Sequence, residues 1–366
     1  MKKHMPKSDG SHPTDLGHWE VELRSRVASF PILVFAGLVK NAGKTTALNT
    51  VNTLFPDEPL GLTSIGYDGE AHDAIYRHPK PSIPVRPGQL ILTAERFLPE
   101  IPNGYDVLEA WGKHPQFGAW LILRITAPGN FRMAGPSILS ELREGISRLR
   151  HYGATRIHVD GALNRLSHIA LKENTADSQN MDSAVILSTG GALGNTLNEV
   201  TERTQRILEL FRLPVLSSSD GSTFGKPSLD IPPDQNAYSY QGTWFSLPPF
   251  LSNQDVKALL PPQAEAIYLK GAFTDSLYLA LRVAGRLPGL FIVRSPAHIL
   301  LSSSVWSGLK SRGIEVKLLE RPHLVMLTLS PWHPLTPIPT ERIAETLLPY
   351  SHVPLVDIQR QHVWLP

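Results

Sequence analysis

Cysteine is missing from all 366 residues, which removes disulfides, thiolate zinc sites, cysteine-held iron–sulfur clusters and a cysteine nucleophile from consideration. A cytoplasmic setting fits that absence and is the expectation. An excess of charge of one sign is lacking too. With 35 basic against 33 acidic residues the formal charge is +2, too little for a nucleic-acid or anionic-membrane footprint. No nucleic-acid or membrane partner is expected. The longest apolar run near the start, around Ile32 to Val39, stops far short of the roughly 20 residues that span a bilayer. The basic MKKHMPKSDG leads into polar residues, so a signal peptide is not expected. Among 14 histidines there is no His-Glu-x-x-His, and His151, His158 and His168 are scattered, which argues against a histidine metal site. Ser302, Ser303 and Ser304 lack the flanking glycines of a nucleophile elbow.

What is present is a core-forming composition, 42% hydrophobic, punctuated by 32 prolines that cluster in IPPDQ, SLPPFL, LLPPQ and SPWHPLTPIP. Those clusters mark chain breaks between periodic segments. Residues 14 to 29 read as a lead-in helix. Apolar strands then alternate with helical patterns: PILVFA, a helix from Thr45 to Phe55, LGLTSI, GQLILTA, AWLILRI, a helix from Ser137 to His151, RIHV, AVILS, a helix from Asn195 to Phe211, and LPVL. The order predicts an α/β fold with a mostly parallel sheet covered by helices. Periodicity fails from 217 to 262, apart from the aromatic stretch AYSYQGTWF, which reads as a small hairpin. It resumes with EAIYLKG, a helix from Thr274 to Arg286, GLFIV, a helix from Ile299 to Arg312, IEVKLL, LVMLTL, a helix from Thr340 to Leu348, and VPLVDI. The expected division is a lead-in over 1–30, a nucleotide-binding domain over 31–216, a linker or excursion over 217–262 and a C-terminal α/β unit over 263–366. That last unit is a second, smaller domain or a continuation of the first sheet, and the sequence leaves both open.

The segment GLVKNAGKTT, Gly37 to Thr46, lies directly behind an apolar strand and opens a helix. A glycine-containing turn there leaves backbone N–H groups aimed at one point, which suits a phosphate. Lys44 is placed to reach the outer phosphates and Thr45 to ligate magnesium. Gly37, Ala42, Gly43 and Thr46 complete the loop, and Lys40 and Asn41 either touch phosphate or face water. ATP and Mg2+ are the expected ligands. The common Gly-x4-Gly-Lys-Thr pattern would need glycine at Leu38. The first glycine is Gly37, so the loop is one residue longer and is similar to that of dethiobiotin synthetases and related ATP-dependent ligases.

Open parallel sheets bind ligands beyond the carboxyl ends of their strands, so polar residues there come next. In TSIGYDGE, Asp68 and Glu70 can hold magnesium through water or orient an attacking water, or form an ordinary Asp-Gly turn. In RIHVDGALNR, Asp160 ends a strand opposite Thr45 and can hold a magnesium-bound water. Asn164 and Arg165 can contact base or phosphate, or remain solvated. The acid-Gly-Ala order resembles the Glu-Gly-Ala run of dethiobiotin synthetase. LSTGGALG is either a ligand-side turn or a tight strand-to-helix connection.

Together, GLVKNAGKTTALN, GLTSIGYDGE, AGPS leading to VDGALNR, AVILSTGGAL, KGAFTDSLYLAL, LTLSPWHP and VPLVDI make the chain resemble one family. It is the P-loop subunit of the reactivase for adenosylcobalamin-dependent lysine 5,6-aminomutase. The likeness runs over roughly residues 31 to 357. It departs from the family at Tyr67, where relatives carry a basic residue, and at FIVRSPAHI, where they carry an acid-Pro-Thr-Lys run. The resemblance implies a P-loop NTPase domain and an ATPase that works with a MutS-related subunit on a cobalamin-dependent aminomutase. A homodimer is a further expectation. An ATP-dependent ligase or kinase for a small molecule is the alternative.

Overall fold

The computed structural model describes residues 17–66, 82–98, 104–131, 133–161, 183–216, 231, 235–249 and 251–366. In chain order the first part forms α1 (His18–Val27), β1 (Ile32–Gly37), α2 (Lys44–Thr53), β2 (Leu60–Ser64), β3 (Ile83–Val85), β4 (Leu90–Ala94), β5 (Tyr105–His114), β6 (Gly118–Ile125), β7 (Gly129–Phe131), α3 (Leu139–His151), β8 (Arg156–Asp160), β9 (Ser183–Gly190) and α4 (Leu197–Leu210). Then follow β10 (Asn236–Tyr240), β11 (Thr243–Leu247), α5 (Asn253–Leu259), β12 (Ala266–Leu269), β13 (Phe273–Thr274), α6 (Asp275–Val283), β14 (Leu290–Val293), β15 (Ile299–Leu300), α7 (Ser303–Ser311), β16 (Glu315–Leu318), β17 (His323–Ser330), α8 (Thr340–Leu347), β18 (Leu355–Asp357) and β19 (His362–Trp364).

Ten strands form one sheet in the order β19-β18-β17-β9-β1-β8-β2-β4-β6-β5. From β18 to β4 every neighbouring pair is parallel, and antiparallel pairing is confined to β19 at one edge and β6 and β5 at the other. The α/β class with a large, mostly parallel sheet is therefore as expected. Two-sided burial is visible along β1. Ile32, Val34 and Ala36 join Leu142, Ile146, Val200 and Ile343 on the α3, α4 and α8 side, and Leu33 and Phe35 join Leu23, Val27, Leu48 and Val51 on the α1 and α2 side. Helix α1 is fastened by Arg156, which reaches the carbonyls of Val27, Ala28 and Phe30 at 3.2, 3.0 and 2.8 Å and lies 3.7 Å over the Phe55 ring.

Both alternatives left open for residues 263–366 occur. Strands β12, β14 and β16 build a second sheet, order β11-β10-β12-β14-β16, whereas β17, β18 and β19 return to the first. The C-terminal stretch is thus not one unit, and the second sheet is an insertion between α4 and β17. LPVL also belongs elsewhere than expected, since Val215 bridges to Leu318 at the edge of the second sheet. AYSYQGTWF is the hairpin of β10 and β11, with Gln241 and Gly242 at φ 50° and 73°, the left-handed pair that a two-residue turn between twisted strands needs. The helix expected from Ile299 starts later. Ile299 and Leu300 pair with β13, and Ser302 caps α7 by accepting from the Val305 N–H. Strand β5 was not anticipated; the lead-in helix was, and spans His18–Val27.

The inserted unit is joined to the large sheet through α4. Glu209 accepts from Trp306 Nε1 at 3.1 Å and pairs with Lys310, and Arg206 donates to the Leu301 carbonyl. No helix among the described residues is long and apolar enough to cross a membrane.

Candidate phosphate site at the carboxyl end of the central strand

Strand β1 lies between β8 and β9, so whatever follows it emerges between two further strand ends. The loop that follows is shaped by two left-handed residues, Asn41 at φ 63° and Gly43 at φ 90°. Gly43 is the N-cap of α2 and brings no side chain to the helix end, so the first-turn N–H groups of α2 have no side-chain cap. Gly37 is in close quarters of a milder kind, since a Cβ there would stand 3.1 Å from the Val39 carbonyl oxygen. The start of the loop is pinned to β9 by the Leu38 N–H donating to the Ser188 carbonyl at 2.9 Å. Helix α2 begins at Lys44, one residue earlier than expected.

Lys44 and Asp160 meet. The Lys44 ammonium lies 2.9 Å from Asp160 Oδ1, with both side chains about a fifth exposed. Register explains the meeting, because Asp160 ends β8 opposite Phe35 of β1 on one side and Ser64 of β2 on the other. Thr45 and Thr46 are half-buried on the first turn of α2, and Lys40 is exposed on the loop. A hydroxyl at Thr45 and one strand-end carboxylate suit magnesium, which keeps several waters and shares its shell with substrate phosphates. Among the described residues no three His, Asp or Glu side chains group as a ready-made metal site. Asp68, Glu70, Asn164 and Arg165, together with Tyr67 and His168, lie outside the described residues.

The AGPS segment comes to the same end of the sheet. The Gly135 N–H donates to Ser64 Oγ at 2.9 Å and to the Gly66 carbonyl at 3.2 Å, and the Gly66 N–H donates to the Pro136 carbonyl. A Cβ on Gly135 would fall 1.9 Å from the Ser64 carbonyl oxygen, so glycine is required by contact. AGPS is therefore tied to GLTSIG at the end of β2, and Ser64 there lies opposite Asp160.

For LSTGGALG the packing explanation applies. A Cβ at Gly190 would stand 1.9 Å from the Ser330 carbonyl oxygen, and one at Gly191 would stand 2.7 Å from that of Trp332. The same approach sets Ser330 beside the loop that opens α2, 3.3 Å from where a Gly43 Cβ would be. A solvent-open groove results, lined by Gly43 and Thr46 on one side and by Leu329, Ser330, Ile358 and Gln359 on the other. Its far wall was missed as part of the site. LTLSPWHP and VPLVDI stood out in the sequence, but only the return of β17 and β18 to the first sheet shows them to be neighbours of Gly43.

His158, one strand residue pair before Asp160, is fully buried and serves the core. Its Nδ1 lies 2.6 Å from Asn52 Oδ1, and its ring packs edgewise on Phe35 and Phe55. Burial first, and the Arg156 charge second, push its pKa down to about 3, so the imidazole is neutral. Ser302 is a helix cap, in keeping with the absence of a nucleophile elbow around it. No protein-family model, curated protein or solved structure matches this chain.

Proposed function

We propose that the chain binds Mg2+–ATP on the loop from Gly37 to Thr46 and hydrolyses it, as one subunit of a reactivating factor for an adenosylcobalamin-dependent aminomutase of the lysine 5,6-aminomutase type. The observation that carries the nucleotide reading is the 2.9 Å approach of Lys44 to Asp160 at the ends of neighbouring parallel strands, with Gly43 left-handed between loop and helix. A lysine at a helix start suits phosphate charge, and a carboxylate across from Thr45 suits a metal shell. A P-loop NTPase domain of the dethiobiotin-synthetase kind is part of the same proposal and is supported by this loop on a mostly parallel sheet.

Lys44 exchanges its carboxylate partner for the outer phosphates when nucleotide arrives, and this leaves Asp160 to the metal. Thr45 and Asp160 would hold Mg2+, which neutralises charge on the phosphates when bound. The uncapped first turn of α2 supplies N–H donors to the phosphate chain. Asp68 and Glu70 are the proposed water-orienting pair.

The reactivase half rests on the family resemblance. It is supported by the insertion of a whole second sheet between α4 and β17, the second of which ends at Ser330 beside Gly43. A small-molecule kinase needs no such unit. ATP-driven exchange on a protein requires the ATP and ADP states to differ in partner affinity, by about 1.4 kcal/mol for each factor of ten. The proposed partners are a MutS-related subunit and the mutase, with a second copy of this chain as a further candidate. The test inactivates a lysine 5,6-aminomutase by turnover, then supplies this chain, its MutS-related companion, Mg2+–ATP and fresh cofactor. Activity should return, and should fail to return with Lys44→Ala. ADP formed together with a new amide or phosphoester on a small acid, and no recovered activity, would replace the reactivase with the ligase.

A further inference from the structure

Helix α6 of the inserted unit carries apolar side chains on two sides, which a helix that only covers a sheet does not need. Tyr278 and Leu281 face inward and are buried in the core of that unit. Leu279 and Val283, one turn apart, face outward and are 46% and 81% exposed. Ser276 shares their arc, so the outer strip carries no charge. Further exposed apolar side chains stand at both ends of the helix. Leu300, 58% exposed, pairs in register with Thr274, the N-cap of α6. Leu259, 43% exposed, ends α5, and the Arg286 guanidinium just past α6 donates to the Leu260 carbonyl at 2.7 Å, which holds the C-terminal ends of the two helices together.

The charge around this strip is one-sided. Residues 253–312, which span α5 to α7, hold seven Lys and Arg against three Asp and Glu, an excess of four, while the whole chain carries +2. All three acids are already engaged. Asp255 accepts from the Ser252 N–H at 2.8 Å, Asp275 from the Ser302 N–H at 2.8 Å, and Glu265 from the Ser239 hydroxyl at 3.0 Å. Lys257 on α5 and Arg282 on α6 are exposed, and no carboxylate among the described residues pairs with either. An uncharged apolar strip edged by free cations is what remains on the outside of the unit.

We propose that α6, with Leu259 and Leu300 at its ends, is the docking surface for an acidic amphipathic helix of a partner protein. The apolar side chains of that helix pack on Leu279 and Val283, and its carboxylates meet Lys257 and Arg282. A second copy of this chain fits worse, because packing α6 on α6 about a two-fold axis brings Arg282 close to its own copy and sets like charges together. An anionic bilayer fits worse too, because the exposed strip holds no Trp, Tyr or Phe to sit among headgroups. The surface is independent of nucleotide binding.

The experiment titrates the intact chain into two fluorescein-labelled peptides and follows anisotropy. One peptide is a designed helix with leucines along one face and glutamates on the other; the second has lysine for every glutamate. The parent should bind the glutamate peptide about 10-fold or more tighter than the lysine peptide, and added salt should narrow that gap. Val283→Glu should weaken the glutamate peptide by about 10-fold or more. Arg282→Glu, which leaves the apolar strip intact, should shift the preference toward the lysine peptide. Both substitutions are at exposed positions, and unchanged urea midpoints would establish that the variants fold. Equal binding of the two peptides, or binding of neither, overturns the proposal. So does a concentration-dependent dimer of the parent that Val283→Glu abolishes, which assigns the strip to a second copy. Binding of the parent to phosphatidylserine-containing vesicles that Val283→Glu abolishes, without binding of the glutamate peptide, overturns it in favour of a membrane surface.

Discussion

Acidification should destabilise this protein well before its carboxylates titrate, and His158 is the reason. An ordinary histidine titrates near pH 6.5, whereas His158 holds its pKa near 3 because it is fully buried and faces the Arg156 charge. With the amide of Asn52 oriented so that Nδ1–H donates to Oδ1, Nε2 has no partner among the described residues. A second proton would place an unpaired charge among Phe35, Phe55 and Asn52. The folded-state pKa is depressed, so between pH 6.5 and 3 the unfolded chain binds the extra proton and the folded chain does not. Stability therefore rises with pH through that window and is level above it. The slope approaches about 1.4 kcal/mol per pH unit, and lowering the pH from 7 to 4.5 should remove roughly 2.5 kcal/mol through this residue alone. His158→Gln keeps an amide for Asn52 and cannot be protonated. Urea unfolding of parent and variant, from pH 4.5 to 7.5, isolates the effect as the difference between the two curves. The variant should be less stable at pH 7 and lose less on acidification, so that the gap narrows by about 2.5 kcal/mol. A gap that stays constant across the range would refute the assignment of a buried, neutral imidazole.

Three further outcomes are expected. Asp160→Asn should cut magnesium-dependent ATP hydrolysis at least 10-fold, on the order of 1.4 kcal/mol or more, while nucleotide measured without metal binds as tightly as in the parent or tighter, because Lys44 loses its competing partner; normal hydrolysis would move the metal elsewhere. Arg156→Met should cost about 3 kcal/mol of stability, since Glu58 and the carbonyls of Val27, Ala28 and Phe30 lose a 95% buried donor, and proteolysis should then release the segment containing α1 first. Gly190→Ala should force β9 and β17 apart at Ser330, whose carbonyl oxygen occupies the added methyl's place, and so lower the urea midpoint; an unchanged midpoint would show that the approach relaxes without cost.

How much of this was legible depends on whether the information is local. The strand, glycine turn and Lys-Thr helix start from Ile32 to Thr53 were legible, because the three are contiguous and each leaves its own chemical signature. Asp160 was legible as a strand-end acid, and the parallel register then explains why it meets Lys44. The helix from Ile299 was placed too early because Ser302 caps by a hydroxyl that looks like any other in a serine run. Strand β5 escaped because its exposures do not alternate cleanly, with Val107 half exposed at a sheet edge and bulges in its pairing with β6.

The far wall of the groove was not legible for a different reason. β17 pairs with β9 across an inserted sheet, and no local pattern records which of two sheets a late apolar strand will join. Glycine contacts hold the missing information. Gly190 and Gly191 read in the sequence as a ligand-side turn or a tight strand-to-helix connection, and each is small because Ser330 and Trp332 press against it. Such contacts make the insertion more than an appendage. α4 leads out of the LSTGG turn and carries Glu209 and Arg206 to α7 and Leu301, while β17 leads back in and delivers Ser330 to Gly43. The loop from Gly37 to Thr46 and the inserted sheet are thus joined through two short covalent routes. If they are coupled, Glu209→Gln, which weakens the hold on Trp306 and Lys310 without touching the groove, should leave ATP affinity within about 2-fold and reduce the partner-stimulated part of hydrolysis by about 5-fold or more. Unchanged stimulation in that variant would show that the inserted sheet is carried by the ten-stranded sheet and not driven by it.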